Sequence, residues 1–204
     1  HRANAQWAGV LTAEQGYLLG LLVGDGTLKR DMAILSAWPR AAAVNASASC
    51  GAHALMDEAL RCAETLPHRA DFSGWSEVRG RGESRLKSAA LRDLAFGLGM
   101  TPGHKAITPA LEKASSEAYR GFLRGFFDAD GSVQGSQAKG VSVRLAQSDL
   151  PRLEAVQRML LRLGIPSRIY RDRRAAGETM LPDGKGGTRA YAIQPQQELV
   201  VAGE

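Results

Sequence analysis

The apolar positions of this chain fall into two runs of one design. Residues 16 to 28 read Gly16-Tyr17-Leu18-Leu19-Gly20-Leu21-Leu22-Val23-Gly24-Asp25-Gly26-Thr27-Leu28. Without a gap, and 105 positions later, Gly121-Phe122-Leu123-Arg124-Gly125-Phe126-Phe127-Asp128-Ala129-Asp130-Gly131-Ser132-Val133 repeats the pattern. Thr12 with Gln15 is a capping-box start for the first run, and Ser115 and Ser116 are N-cap candidates for the second. Two helices are therefore predicted, each ending in Asp-Gly. Residues 27–36 and 132–145 then read as hairpins, and His53 to Leu66 and Leu150 to Leu163 show helical apolar spacing. In the first half, residues 72–87 supply a second strand pair and Ala89 to Leu98 a closing helix. In the second, Arg168 to Arg173 and Arg189 to Ile193 read as the matching strands, joined by a glycine-rich loop at 184–187. Only Pro195 to Glu204 is left, so the second half is expected to lack its closing helix.

Glycine every four residues is costly in a helix, about 1 kcal/mol each relative to Ala. The spacing puts Gly16, Gly20 and Gly24 in one row, and Gly121, Gly125 and Ala129 in the equivalent row. Rows without side chains let two backbones approach more closely than ordinary helix packing permits. If the two helices meet about a local twofold axis, Asp25 and Asp130 arrive together at one end. The helix dipoles and terminal carbonyls then add to the negative charge. Cations are needed at such a place, held by Asp25, Asp130 and the terminal residues Gly24 and Ala129, and these oxygen donors suit Mg²⁺ better than zinc. Metal-assisted phosphoryl transfer is the natural chemistry.

The paired runs resemble the motifs of the LAGLIDADG homing endonucleases, in particular the two-motif, single-chain type found inside inteins. The likeness extends to Gly103-His104-Lys105-Ala106-Ile107-Thr108-Pro109, which looks like the family's lysine-containing block, and to Leu153 through Ser167, which resembles its amphipathic helix and Gly-Ile turn. The resemblance implies an α+β fold, an αββαββα repeat duplicated about a pseudo-twofold axis, with the motif helices at the centre. Its curved antiparallel sheets would form a saddle on DNA. It implies a lead-in at 1–11, a first repeat at 12–102, a connecting segment at 103–116 with Lys105, and a second repeat at 117–204. In that picture Asp25 and Asp130 bind Mg²⁺ and position water for attack, and Lys105 polarises a phosphate or water. The partner would be double-stranded DNA with a long target site, and the protein a monomer. A DNA- or RNA-binding module of the same fold that has lost cleavage, a regulator or splicing helper, is the alternative. The chain begins at His1 and ends at Glu204, without the nucleophile and His-Asn ending that splicing needs, so any splicing segments are expected outside it.

Composition narrows the choice. The net charge is +5, and the basic residues cluster. Lys29, Arg30, Arg79, Arg81, Arg85, Lys87, Gln134, Gln137, Arg144, Arg168, Arg171 and Arg173 are the candidate DNA-contacting side chains. Alternation along a strand sends such residues to one sheet face, where they can meet phosphates and base edges. No apolar run approaches the roughly 20 residues of a membrane span, and no secretory signal is present, so an intracellular location is expected. Cys50 and Cys62 read as reduced structural thiols. The histidines form no zinc-nuclease pattern, Asp128 to Ser132 lacks the Gly and Glu that a calcium loop needs, and Gly20 to Gly26 lacks a P-loop ending. Asp128 has no acidic equivalent in the first run, where Val23 stands, so a structural role is expected for it.

Overall fold

The computed structural model describes residues 6–39, 46–136, 140–182 and 187–202, so Gln137, Lys139 and most of the glycine-rich loop lie outside the described residues, as does the side chain of Cys50. The chain divides into two compact units at the Asp130/Gly131 junction.

In the first unit, α1 (Ala13–Val23), α2 (Ala46–Glu64), α3 (Ala89–Gly97) and α4 (Ser116–Asp130) accompany β1 (Thr27–Leu28), β2 (Ala33–Ala37), β3 (Trp75–Val78) and β4 (Glu83–Ser88). The strands form one antiparallel sheet in the order β1-β2-β4-β3. Helix α1 starts as its sequence predicts: Thr12 Oγ1 accepts from the Gln15 amide at 3.3 Å, and Gln15 Oε1 accepts from the Thr12 amide at 3.0 Å. From Gly16 to Val23 every residue is buried, as befits a helix that is apolar on all sides. Ser115 caps α4 by accepting from the Ala118 amide at 3.1 Å. The segment ahead of α1 is bound into the fold here: the Ser115 amide donates to Val10 O at 3.0 Å, and Trp7 Nε1 donates to Ala114 O at 2.8 Å. Trp7 also stands edge-on to Tyr119, with ring centroids 5.2 Å apart.

Helices α1 and α4 run parallel in backbone contact. A Cβ on Gly16 would drive into the carbonyl of Ala118, one on Gly20 into that of Phe122, one on Gly121 into that of Ala13, and one on Gly125 into that of Tyr17. Each glycine faces main chain of the other helix, which accounts for the whole row at once. At the far end a Cβ on Gly24 would lie 2.6 Å from the Ala129 Cβ. The expected small-residue seam is therefore present along its full length.

In the second unit, β5 (Gly131–Ser136), β6 (Gly140–Gln147), β7 (Arg168–Arg174) and β10 (Gln196–Ala202) form an antiparallel sheet in the order β5-β6-β10-β7, with α5 (Leu150–Arg162) between β6 and β7 in sequence. Leu153, Val156 and Met159 of α5 and Leu145 and Leu199 of the sheet are buried. The sequence reading of the last strand is corrected. Arg189 to Ile193 lies in β9 (Thr188–Ile193), which pairs only with β8 (Gly177–Pro182) in a separate two-stranded ribbon. The segment from Gln196, expected to be a remnant, is an interior strand of the sheet, between β6 and β7. Burial decides between them: Gln197 and Leu199 are buried, whereas all of β9 is exposed.

Candidate functional site

The C-terminal ends of α1 and α4 lie side by side. Gly24 ends α1, and a Cβ placed there would stand 3.4 Å from Asp130 Oδ2, so the Asp130 carboxylate sits against the end of α1 next to Asp25. The predicted convergence of the two acidic positions is thus what the helix packing produces. Asp25 has one side open to solvent; on the other, burial against the protein raises its carboxyl pKa, and the nearby Lys105 ammonium opposes that rise. The end of a helix is the expected place for a cation, because its last carbonyls lack partners within the helix. Here Lys105 fills it. Its Nζ donates to Leu22 O at 2.9 Å, to Gly24 O at 3.2 Å and to Gly26 O.

Asp128, also in the second motif, has partners of its own. It accepts from the Tyr17 hydroxyl at 2.9 Å and stands 3.9 Å from Arg124 Nε. Arg124 lies over the Tyr17 ring, 5.0 Å from its centroid, and donates to Glu58 Oε1 at 2.7 Å. Burial and the Asp128 charge push the Tyr17 hydroxyl pKa far up. This network ties α1 and α4 to α2, a structural duty for Asp128. Tyr17, Arg124 and Asp128 also line a cleft of about 600 Å³ that has Asp25 on its wall and the indoles of Trp38 and Trp75 beside it.

The basic candidates are distributed unevenly. On the first sheet, Arg85 shares a face with Ser36 and Ser76 through cross-strand pairing, and Lys87 lies on that face opposite Ile34. Arg85 is held there by Glu83, with Nε 2.6 Å from Oε1 and a second bond of 3.0 Å. Lys29 and Arg30 are in the β1–β2 turn and Arg79 and Arg81 in the β3–β4 turn, where Gly80 and Gly82 take positive φ. On the second sheet, the register places Gln134, Ser142, Arg144, Val200 and Arg168 on one open face. Arg173 joins them: it lies over the Tyr170 ring, as does Arg168, with centroid distances of 5.9 and 5.3 Å. Arg171 is drawn to the α5 side, 3.4 Å from Glu154. Alternation from Arg168 puts Arg171 on that side; it is Arg173 that owes its place to an irregularity in β7, where the register with β10 shifts and Asp172 adopts φ 50°. Strict alternation fails there.

Sequence reasoning missed the acidic partner on the second sheet. Glu198 lies 3.3 Å from Arg144 and 3.4 Å from Arg173, and Glu83 pins Arg85. The local signal was available only for Glu83, two residues from Arg85 on the same strand face. Glu198 stood in a segment read as a tail.

A divalent ion fits the arrangement at the helix ends. Among the described residues no group of three His, Cys, Asp or Glu side chains could hold a metal. The donors available are two carboxylates and main-chain carbonyls, all hard oxygens, with phosphate and water left to complete an octahedral shell. No helix among the described residues is long and apolar enough to cross a membrane.

Residues 117–204 match the LAGLIDADG-like domain family. The NrdEB subunit alpha of ribonucleoside-diphosphate reductase from Bacillus subtilis (strain 168) is 23% identical over 98% of this chain. The chain spans only 19% of the length of that relative. Among solved structures, a variant of the homing endonuclease I-DmoI in complex with its target DNA and Mg is 17% identical, with a TM-score of 0.50, and the match covers 93% of this chain and 88% of that one. I-DmoI in complex with DNA and Ca is 16% identical at the same TM-score, over 93% and 82% of the two chains. At such identities the likeness is one of fold.

Proposed function

We propose, from the premise that residues 117–204 form a LAGLIDADG-like domain, that this chain is a site-specific endonuclease of double-stranded DNA working with a divalent cation, Mg²⁺. One observation carries the reading. The glycine seam holds α1 and α4 so close that Asp130 lies against Gly24, next to Asp25. In a merely structural helix pair nothing favours acidic residues at that spot, where both helix dipoles are negative. A bound divalent ion would activate water and offset charge on the scissile phosphate. The chain's own residues do the rest: Asp25 and Asp130 hold the ion with main-chain oxygens of Gly24 and Ala129, and Lys105 sets the charge at the end of α1. Arg85, Lys87, Arg144, Arg168 and Arg173 bind the backbone and base edges, joined by Lys29, Arg30, Arg79 and Arg81 from the turns, and by Gln134. Arg171 and Gln137 remain candidates for DNA contact.

The finer reading is that the endonuclease works as a monomer inside the cell and is housed in an intein. In its support, nearly all of this chain matches a minor part of a far longer enzyme subunit. An endonuclease segment inserted into a host reading frame gives that proportion. The first test is cleavage of a randomised double-stranded DNA library with Mg²⁺, comparing the chain with its Asp25→Asn, Asp130→Asn form. Aspartate-dependent cutting at one long sequence is expected. Selective binding without cutting would favour the second reading, a DNA- or RNA-binding module that has lost cleavage. That reading has one observation behind it: Lys105 Nζ donates to three main-chain carbonyls.

A further inference from the structure

Lys105 carries an inference beyond its assignment as a catalytic lysine. An ammonium has three N–H donors and no more. In Lys105 they meet three converging carbonyls, those of Leu22, Gly24 and Gly26. The geometry is that of a small cation in an oxygen cradle, at the negative end of a buried helix and beside an acidic side chain. These bonds hold the ammonium toward the main chain at the end of α1. One of the three oxygens, Gly24 O, is also a ligand assigned above to the divalent ion. A divalent ion bound to that oxygen would stand close to the ammonium, and the repulsion between the two cations in a partly desolvated site favours one occupant at a time.

We propose that Lys105 is a resident cation of the metal site. Its ammonium occupies the carbonyl end of α1 while no divalent ion is bound, and an arriving ion displaces it. Displacement frees the donors of Lys105 for the DNA phosphates, so the lysine becomes available only once the metal is in place. The exchange keeps the end of α1 neutralised in both states. Lys105 is thereby a positioning residue before metal binding, and its side chain swings only afterwards. The inference rests on the assignment of Asp25 and Gly24 as metal-holding.

The test needs no cleavage and no DNA. Acetylation of lysines by an N-hydroxysuccinimide ester, mapped by mass spectrometry, is measured on the intact chain with and without millimolar Mn²⁺ or Mg²⁺. The expected result is slow modification of Lys105 in metal-free buffer and a rise of at least about threefold with metal, while Lys29 and Lys87 keep their rates. In Asp25→Asn the rise should vanish. An unchanged Lys105 rate in the metal-saturated wild type would overturn the proposal. A second measurement uses Lys105→Met: calorimetric titration should show Mn²⁺ binding at least tenfold tighter than in the wild type, and equal or weaker binding would also overturn it. A chain that cuts DNA with an unresponsive Lys105 sinks this proposal alone. One whose Lys105 responds to metal but that never cuts sinks the endonuclease reading and leaves this one standing.

Discussion

Gly125→Ala adds one methyl group inside the helix seam. The new Cβ would press into the carbonyl oxygen of Tyr17 and lie 3.1 Å from the amide nitrogen of Leu21. Both are main-chain atoms of a fully buried helix, so neither can swing aside as a long side chain would. The helices must separate, which is overpacking at about 3 kcal/mol, the upper end of its usual range. Alanine's better helix propensity returns about 1 kcal/mol, leaving a net loss of roughly 2 kcal/mol. For a chain of this size that is a fall in Tm of about 4–8 °C. Gly51→Ala is the control, since that glycine sits in α2 with nothing within 4 Å of the added atom. There only the propensity gain remains, so Gly51→Ala should be neutral or stabilising by roughly 0.5–1 kcal/mol. Urea or thermal unfolding followed by circular dichroism reads both. The seam argument fails if Gly125→Ala melts at or above the wild type, or if the two substitutions move stability in the same direction. Because separation also moves Asp130 away from Gly24, any endonuclease activity should fall by more than stability alone explains, on the order of a hundredfold for a 1 Å displacement.

Burial raises the pKa of Asp25. The folded state thus holds that proton more tightly than the unfolded chain does, and stability declines as pH rises through the range just above its ordinary value. Asp25→Asn removes the penalty and should melt at or above the wild-type temperature at neutral pH while abolishing cutting; a lower Tm would contradict this. Glu83 behaves in the opposite way: its hydrogen bonds from Arg85 hold its pKa down, so its contribution is present at neutral pH and lost as pH falls through the acid range. Glu83→Gln should flatten that acid limb in a pH series of melts. Burial pushes the Cys62 thiol up to about 11, so it should stay inert to a disulfide reagent at pH 8 until denaturant is added, and prompt reaction of the native protein would refute its burial. Glu198→Gln releases Arg144 and Arg173, and should strengthen DNA binding at low salt and steepen the salt slope by about one unit; an unchanged slope would mean that neither arginine meets phosphate.

The helix seam was legible in the sequence because glycine at every fourth position has few other uses in a buried helix, and the repeat showed it twice. The capping box at Thr12 and the helix start at Ser115 were local signals that local hydrogen bonds then honoured. The strands around Arg189 were harder. Residues 189–193 and 196–202 both carry apolar residues on a strand-like period, and Pro195 between them reads as a terminator. What separates them is the long-range pairing of β10 with β6 and β7, and no window of sequence contains that. The same holds for Arg173, brought to the open face by one backbone irregularity, and for Lys105. Its chemistry was visible, but its placement on three carbonyls at and just beyond the end of α1 depends on a contact some 80 residues away in sequence.

Local rules are broken at the same place where the candidate chemistry sits. Glycine in helix interiors, carboxylates at helix C-termini and a lysine committed to main-chain carbonyls are each unfavourable or wasteful by the standard of isolated elements. Together they become consistent. The glycines remove the bulk that would keep α1 and α4 apart, and their close approach brings Asp25 and Asp130 to one end. The resulting negative charge requires a cation, which Lys105 supplies from the connecting segment. Real folds tend to depart from local preference where function demands it. A helix pair selected for stability alone would place Lys or Arg in the last turn, yet α1 and α4 have no basic residue there. The last turns instead leave their carbonyls and carboxylates available to a cation that the helices do not themselves provide.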